Sequence, residues 1–385
     1  MRTRTWRRSS ARSGTCSPRW RSRRRRRRAS TSCPTRSTGA ASASSGSGRR
    51  WASSKASGPW RRSFTAFNRS RSPRRPWKPS AMETLLVVGG SGLVGAKVAS
   101  LASKAFHVVA TYRETKPKIA GVEFVPLHKE RVEDAMALVR RTKPAFVVDT
   151  AAMHNVDRCE DERELAWQVN AGSTGAIARV ATDIGARYLF VSTDFVFDGQ
   201  RGQYREEDVA RPLNYYGETK LAGEHAALAA SAVNLVTRPS VIYGWDDTRL
   251  NFATWVLTNA REGKSINVVT DWIGSPTFAD GLAAAILRLL ELPDGGVYHL
   301  AGAEAMSRHE FAVRLLKAFA LDPSLAKPVR SADLNMKAPR PPNSSLTSAK
   351  AKRHRIAVVS ADEGIAAMKE QRSLDSFVPP ARFKS

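Results

Sequence analysis

The stretch Thr84-Leu85-Leu86-Val87-Val88-Gly89-Gly90-Ser91-Gly92-Leu93-Val94-Gly95 decides the fold. Its first five residues read as one continuous apolar run, which is what a strand buried on both faces requires. Glycines at 89, 92 and 95 follow, and then a helical stretch from Ala96 to Ala105. Small residues let the backbone turn tightly and come close to a phosphate. The helix N-terminus supplies N–H groups and a dipole that favours an anion. In this strand–turn–helix context Gly89, Ser91, Gly92, Leu93, Val94 and Gly95 are candidates for holding the pyrophosphate of a dinucleotide.

Working outward, His107 to Tyr112 reads as a second strand, and Arg113 follows it, with Glu114 adjoining and Lys116 and Lys118 nearby. A dinucleotide fold that prefers NAD places an acid here for the ribose 2′-hydroxyl, whereas a cation suits the 2′-phosphate of NADP. NADP(H) is therefore expected, with NAD(H) as the alternative. Val122 to Leu127 is a third strand, Arg131 to Arg141 a helix, and Ala145 to Asp149 a fourth strand ending in Thr150-Ala151-Ala152. The small Ala151 and Ala152 would let that strand end approach the cofactor. A helical region holding Asn170 and running from Ala171 to Ile184 leads to a fifth strand, Tyr188 to Val191. Strands alternating with helices predict an α/β fold, a Rossmann-like doubly wound parallel sheet with ligands at the strands' carboxyl ends.

Val191-Ser192-Thr193-Asp194 and Tyr216-Gly217-Glu218-Thr219-Lys220 carry the chemistry. A Tyr and a Lys four apart on a helix share one face. A lysine cation held there is expected to lower the phenol's pKa, so that the tyrosine can pass a proton near neutral pH. Thr193 offers a hydroxyl that could hold a carbonyl oxygen beside it.

Beyond the Tyr216–Ala230 helix the pattern loosens. A strand is expected at Val233 to Thr237, a helix at Asn251 to Arg261, a turn at Gly274 to Thr277, and a helix at Phe278 to Leu292. A late strand follows at Gly296 to Ala301. A last helix runs from Ser307 to Ala320, capped by Ser307 with Glu310 completing a capping box. The expected domains are residues 83–240 for the dinucleotide, 241–372 mainly as a substrate-binding lobe, and a loose tail at 373–385.

The formal charge of +27 suggests nucleic acid, but it is unevenly spread. Residues 1–82 hold 22 Arg and 2 Lys with no acid, leaving 38 basic residues against 35 acidic in the body. This Arg/Ser-rich segment should be disordered. It reads as translation upstream of a true start at Met82, as a transit peptide, or as a nucleic-acid-binding tail with Trp20, Trp51 and Trp60 to stack on bases. Nucleic acid is otherwise not expected as a partner. Three scattered cysteines give neither a disulfide framework nor a zinc site, which implies a reducing, cytoplasmic compartment. No apolar run reaches membrane-spanning length, so solubility is expected. His154 and Asp157 lack a supporting cluster, and no protein metal site is expected.

Taken together, Gly89-x-x-Gly92-x-x-Gly95, Ser192-Thr193-Asp194-Phe195-Val196-Phe197-Asp198-Gly199 and Pro212-Leu213-Asn214-Tyr215-Tyr216-Gly217-Glu218-Thr219-Lys220-Leu221-Ala222-Gly223-Glu224 resemble the extended short-chain dehydrogenase/reductase superfamily. Within it they are most similar to the dTDP-4-dehydrorhamnose reductases, as is Ile273-Gly274-Ser275-Pro276-Thr277-Phe278-Ala279-Asp280. The resemblance spans about residues 84–370. It implies hydride transfer from NADPH to the C4 ketone of a nucleotide-linked 4-dehydro-6-deoxy sugar, in dTDP-rhamnose biosynthesis. By the same resemblance Tyr216 protonates the developing alkoxide, Lys220 tunes Tyr216 and holds the nicotinamide ribose, and Thr193 bonds the carbonyl. Asp194, Asn170 and Ser240 become substrate-side candidates, Asn170 having helix capping as its alternative role. A homodimer is implied as a possibility, and interfacial magnesium is left open. Three departures put the exact sugar in question: His128 where the family often has Asp, Val241 where it has Trp, and Trp272 where it has Gln. An NDP-sugar epimerase or dehydratase, and a non-catalytic NADP-binding regulatory subunit resembling the β subunit of methionine adenosyltransferase, are the competing functions.

Overall fold

A computed structural model describes residues 82–380. The expectations for the basic extension therefore lie outside the described residues, apart from Met82 itself. Strands β1 (Thr84–Val88), β2 (His107–Tyr112), β3 (Val122–Pro126), β4 (Phe146–Asp149), β5 (Arg187–Val191) and β6 (Leu235–Arg238) join a seventh strand, Gly296–His299, in one sheet. Its order is seventh-β6-β5-β4-β1-β2-β3, and every pairing is parallel. That is the doubly wound arrangement, with the strand order reversing between β1 and β4.

Alternate residues of β1 explain why the run is apolar throughout. Leu85 and Val87 pack with the helices Leu93–Ala102 and Ala279–Leu290 on one face. Leu86 and Val88 pack with Val132–Thr142 and Ser173–Asp183 on the other. With two helical layers, neither face of the central strands can be polar. A residue such as Leu86, fully buried here, contributes roughly 1.5–3 kcal/mol by leaving water.

The chain after residue 240 divides its loyalty. Helix Ala279–Leu290 and the seventh strand return to the sheet, so a boundary at 240 does not cleanly separate two lobes. The remainder builds its own core from Tyr243, Phe278, Phe311 and Met368. Trp245 donates its indole N–H to the Met368 carbonyl at 2.7 Å and meets Phe377 at 4.9 Å between ring centroids. Where a loose tail was expected from Ser373, Phe377 is thus 1% exposed.

Two local expectations are corrected. Gly274 to Thr277 is not a turn: Ile273–Gly274 pairs with Met306–Ser307, and Pro276–Phe278 pairs with Ser240–Tyr243. Ser307 does cap its helix by accepting from Glu310 N–H at 3.0 Å, but the box stays half made because the Glu310 carboxylate turns to Arg314 at 2.7 Å. No helix among the described residues is long and apolar enough to cross a membrane.

Candidate active site

The carboxyl edge of the sheet gathers the candidate residues. Gly89, directly after β1, has φ of +88°, a left-handed conformation that glycine adopts without strain. A Cβ there would sit 2.8 Å from the backbone nitrogen of Ala151, and a Cβ on Gly95 would overlap the Gly89 carbonyl. The glycine turn is thereby pressed between the end of β4 and its own helix. Thr111, near the end of β2, holds it from the side by accepting the Gly89 N–H at 2.8 Å. Gly92 caps the helix with no side chain, and no acid occupies the first turn, which begins with Leu93 and Val94. An uncapped N-terminus without an opposing charge fits a pyrophosphate. The Ser91 carbonyl meets the hydroxyl of Thr248 at 3.5 Å, from the loop after Tyr243. Arg113 lies just past β2, half exposed, and its guanidinium is 3.3 Å from the Glu130 carboxylate.

At the end of β5, Thr193 caps a short 3₁₀ turn, Asp194–Val196, by accepting from Phe195 N–H at 3.2 Å. Helix Tyr215–Ala230 starts beside it, capped by Asn214 through the Gly217 N–H at 2.9 Å. Only glycine fits at 217, since a Cβ would overlap the carbonyl oxygen of Phe195. This contact draws the helix onto the Thr193 loop and sets the Tyr216 phenol beside the Thr193 side chain. Desolvation raises the phenol's pKa, and the neighbouring Thr193 side chain only partly offsets that.

Lys220, one turn further on, is 1% exposed. It donates to the Val191 carbonyl at 2.7 Å and stands 3.8 Å from the centre of the Phe190 ring. Burial brings its ammonium down to about 7, helped by the like charge of Lys129 and opposed by Asp149 and Glu224. The expected lowering of the tyrosine by the lysine is therefore overturned. The phenol is raised, because desolvation dominates and the Lys220 ammonium is spent on the Val191 carbonyl. The pair consists of a phenol that keeps its proton and an amine poised near neutrality.

The residue match to the family model settles the affiliation: residues 82–372 match the RmlD substrate binding domain. The chain belongs to that family. Through it, the chain belongs to the extended short-chain dehydrogenase/reductase superfamily. Among relatives of this RmlD-family chain, dTDP-4-dehydrorhamnose reductase of Mycolicibacterium smegmatis is 34% identical over 274 residues, 69% of this chain and 78% of that protein. Methionine adenosyltransferase 2 subunit beta of Rattus norvegicus is 32% identical over 275 residues, covering 69% and 80%. The crystal structure of dTDP-4-dehydrorhamnose reductase from Bacillus anthracis in complex with NADP superposes with a TM-score of 0.66 at 25% identity, covering 76% of this chain and all of that one.

Within this RmlD-family site the three substrate-side candidates differ. Asn170 is fully buried in a π-helical turn, Gln168–Gly172. Its amide accepts from Met153 N–H at 2.9 Å and donates to the Met153 carbonyl and the Thr219 hydroxyl, both at 3.0 Å. It therefore ties the loop after β4 to the tyrosine helix and caps no helix. Asp194 accepts the hydroxyls of Thr193 at 3.1 Å, Ser240 at 2.7 Å and Ser344 at 2.5 Å. Ser240 in turn accepts the Ser275 N–H at 3.1 Å. Burial raises the pKa of Asp194. Among the described residues no three His, Cys, Asp or Glu gather as a metal site. The Asp157 carboxylate is taken by Arg340 at 2.6 and 3.0 Å.

Sequence reading missed Lys129 and Asp149, a buried ion pair at 2.7 Å behind Lys220. A signal existed: β4 is apolar except for its terminal Asp149, and a carboxylate at the end of a buried strand needs a counter-ion. Ser344 was missed because it lies in an irregular stretch after Pro341-Pro342, with no period to read.

Proposed function

We propose that the protein is an NADPH-dependent reductase of the C4 ketone of a nucleotide-linked 4-dehydro-6-deoxy sugar, the reaction named in its dTDP-4-dehydrorhamnose reductase relatives. The observation that carries the reading is geometric: the Tyr216 phenol, on the helix capped by Asn214, stands beside Thr193 at the same carboxyl edge of the sheet as the glycine turn at Gly89. A reduction must finish by protonating an alkoxide, and an alkoxide is a stronger base than even this phenolate.

The residues at the glycine turn would hold the dinucleotide: Gly89, Ser91, Gly92, Leu93, Val94 and Gly95 at the pyrophosphate, Arg113 at a 2′-phosphate, and Ala151 and Ala152 along the β4 end. When bound, the cofactor supplies the hydride. Tyr216 gives its proton to the ketone oxygen as the C–H bond forms at C4, and the phenolate is refilled from solvent. Thr193 turns its hydroxyl from Asp194 to that oxygen and fixes the carbonyl against the phenol. Lys220, as the ammonium, would bind the ribose hydroxyls. Asp194 and Ser240 line the sugar side, and Asn170 keeps Tyr216's helix in register with the crevice.

The test is NADPH consumption at 340 nm with dTDP-4-dehydro-6-deoxy-L-mannose, with NADH and the UDP-linked sugar as comparisons. Oxidation that depends on the sugar supports the reading. Sugar-independent behaviour with every 4-keto nucleotide sugar sinks it. Magnesium is tested in the same assay by chelation.

A second reading, a non-catalytic dinucleotide-binding regulatory subunit, draws on the equally strong similarity to the methionine adenosyltransferase β subunits. It requires that Tyr216→Phe leave the protein's biological role intact.

A further inference from the structure

Behind the candidate active site lies a second buried lysine that the proposed reaction does not use. Lys129 follows β3 and is 5% exposed. Its ammonium has three acceptors: Asp149 at 2.7 Å, the Ala151 carbonyl at 2.9 Å and the Thr174 hydroxyl at 3.0 Å. Those match the three donors an ammonium carries. Asp149 is equally committed, taking the Tyr188 hydroxyl at 2.7 Å and the Ala151 N–H at 3.2 Å. The cluster is closed and charge-balanced, yet it sits against both halves of the site. It grips Ala151, which touches the glycine turn, and it shares one aromatic ring with Lys220. Lys129 stands 5.7 Å and Lys220 3.8 Å from the centre of Phe190. The two cations therefore lie closer than a Debye length of ~10 Å, with protein instead of bulk water around them.

We propose that Lys129 is a positioning residue for hydride transfer: clamped by Asp149, it holds the β4 end at Ala151 and sets the electrostatic setting of Lys220 across the Phe190 ring. The inference rests on the reductase reading for its consequence in catalysis, but its physical content stands on the cluster alone. The groups whose charge Lys220 faces are Lys129 and Asp149, Glu224 on its own helix, and His154 on the loop after β4. Glu224 is spent on a buried pair with Arg238 at 2.5 Å. Lys129 and Asp149 are therefore the movable part of the balance. Of the two, Lys129 has the larger effect, and it disfavours the ammonium.

The experiment follows the pH titration of the Lys220 side chain in lysine-labelled protein by NMR, the signal assigned with Lys220→Arg. The native midpoint should fall near 7. In Lys129→Met the repulsion is gone and Asp149 is left facing Lys220, so the midpoint should rise by about one pH unit or more. Lys129→Arg should restore it. Since Lys129→Met strands a buried carboxylate and could fail to fold, Lys129→Met/Asp149→Asn is measured beside it and should show a smaller rise. A folded Lys129→Met whose Lys220 midpoint stays within about 0.3 unit of native, or a folded double variant whose midpoint falls instead of rising, overturns the proposal. The pH limb of kcat should move with the midpoint, whereas a purely structural role would lower kcat without moving the limb. If the native protein reduces no nucleotide sugar, the reductase reading falls and the titration alone decides Lys129.

Discussion

The ammonium of Lys220 is bonded to the carbonyl oxygen of Val191 at 2.7 Å, at the end of the strand that delivers Thr193. A lysine so buried is destabilising while charged. Its folded pKa, about 7, lies below the unfolded value near 10.5, so the unfolded chain binds the extra proton between those pH values. Stability should accordingly rise as pH climbs from 7 to 10.5, and the penalty is present in full below 7. Lys220→Met should lack that rise, checked by urea midpoints across the window. Its kcat/KM should fall on the order of 10²-fold, as when a charge-stabilising donor is removed.

Tyr216→Phe removes the proton but keeps the ring, which packs edge-on to Phe195 at 6.0 Å. The variant should fold and bind NADPH as before. Turnover should drop about 10²- to 10⁴-fold, the range for loss of a general acid. A loss below tenfold would mean that another group donates.

Gly217→Ala probes the contact that seats the tyrosine. Its methyl group would overlap the Phe195 carbonyl. The helix must shift, at a cost of about 1–3 kcal/mol, and a displacement near 1 Å at Tyr216 should lower kcat on the order of 10²-fold. Thermal unfolding and steady-state rates measure the two effects separately.

Arg113 is paired with Glu130 at 3.3 Å, and His128 approaches the same carboxylate at 3.4 Å. A 2′-phosphate must compete with that half-exposed pair, which is worth at most about 1 kcal/mol. Glu130→Gln should therefore tighten NADPH two- to fivefold and leave NADH nearly unchanged. Fluorescence titration of both cofactors reads this directly. Equal changes for both would remove Arg113 from the 2′-position.

What could be read from the chain were the pieces whose chemistry is local. The glycine turn, Thr193, and the Tyr216–Lys220 spacing each sit within a few residues of sequence, and β1 declares itself by an unbroken apolar run while β4 and β5 are apolar but for one end residue. The direction of the Tyr216 shift was misjudged because spacing places two side chains on one face but says nothing of desolvation. Lys129 and Asp149 form their pair 20 residues apart across the sheet, so neither sequence neighbourhood contains the explanation. The Gly274–Thr277 segment looked like a turn because glycine and proline dominate it. Its pairing partner at Ser240–Tyr243 lies more than thirty residues back.

Ser344 reaches across 150 residues of sequence to give Asp194 its shortest hydrogen bond. Until a ribosome has released nearly all of the described chain, that carboxylate has no such donor. Chains cut short before this serine would keep every strand of the parallel sheet and the Tyr216 helix, yet they would lose Ala351 and Ile356 from one core and Met368 and Phe377 from another. Premature products should thus be poorly packed as well as short of a donor for Asp194.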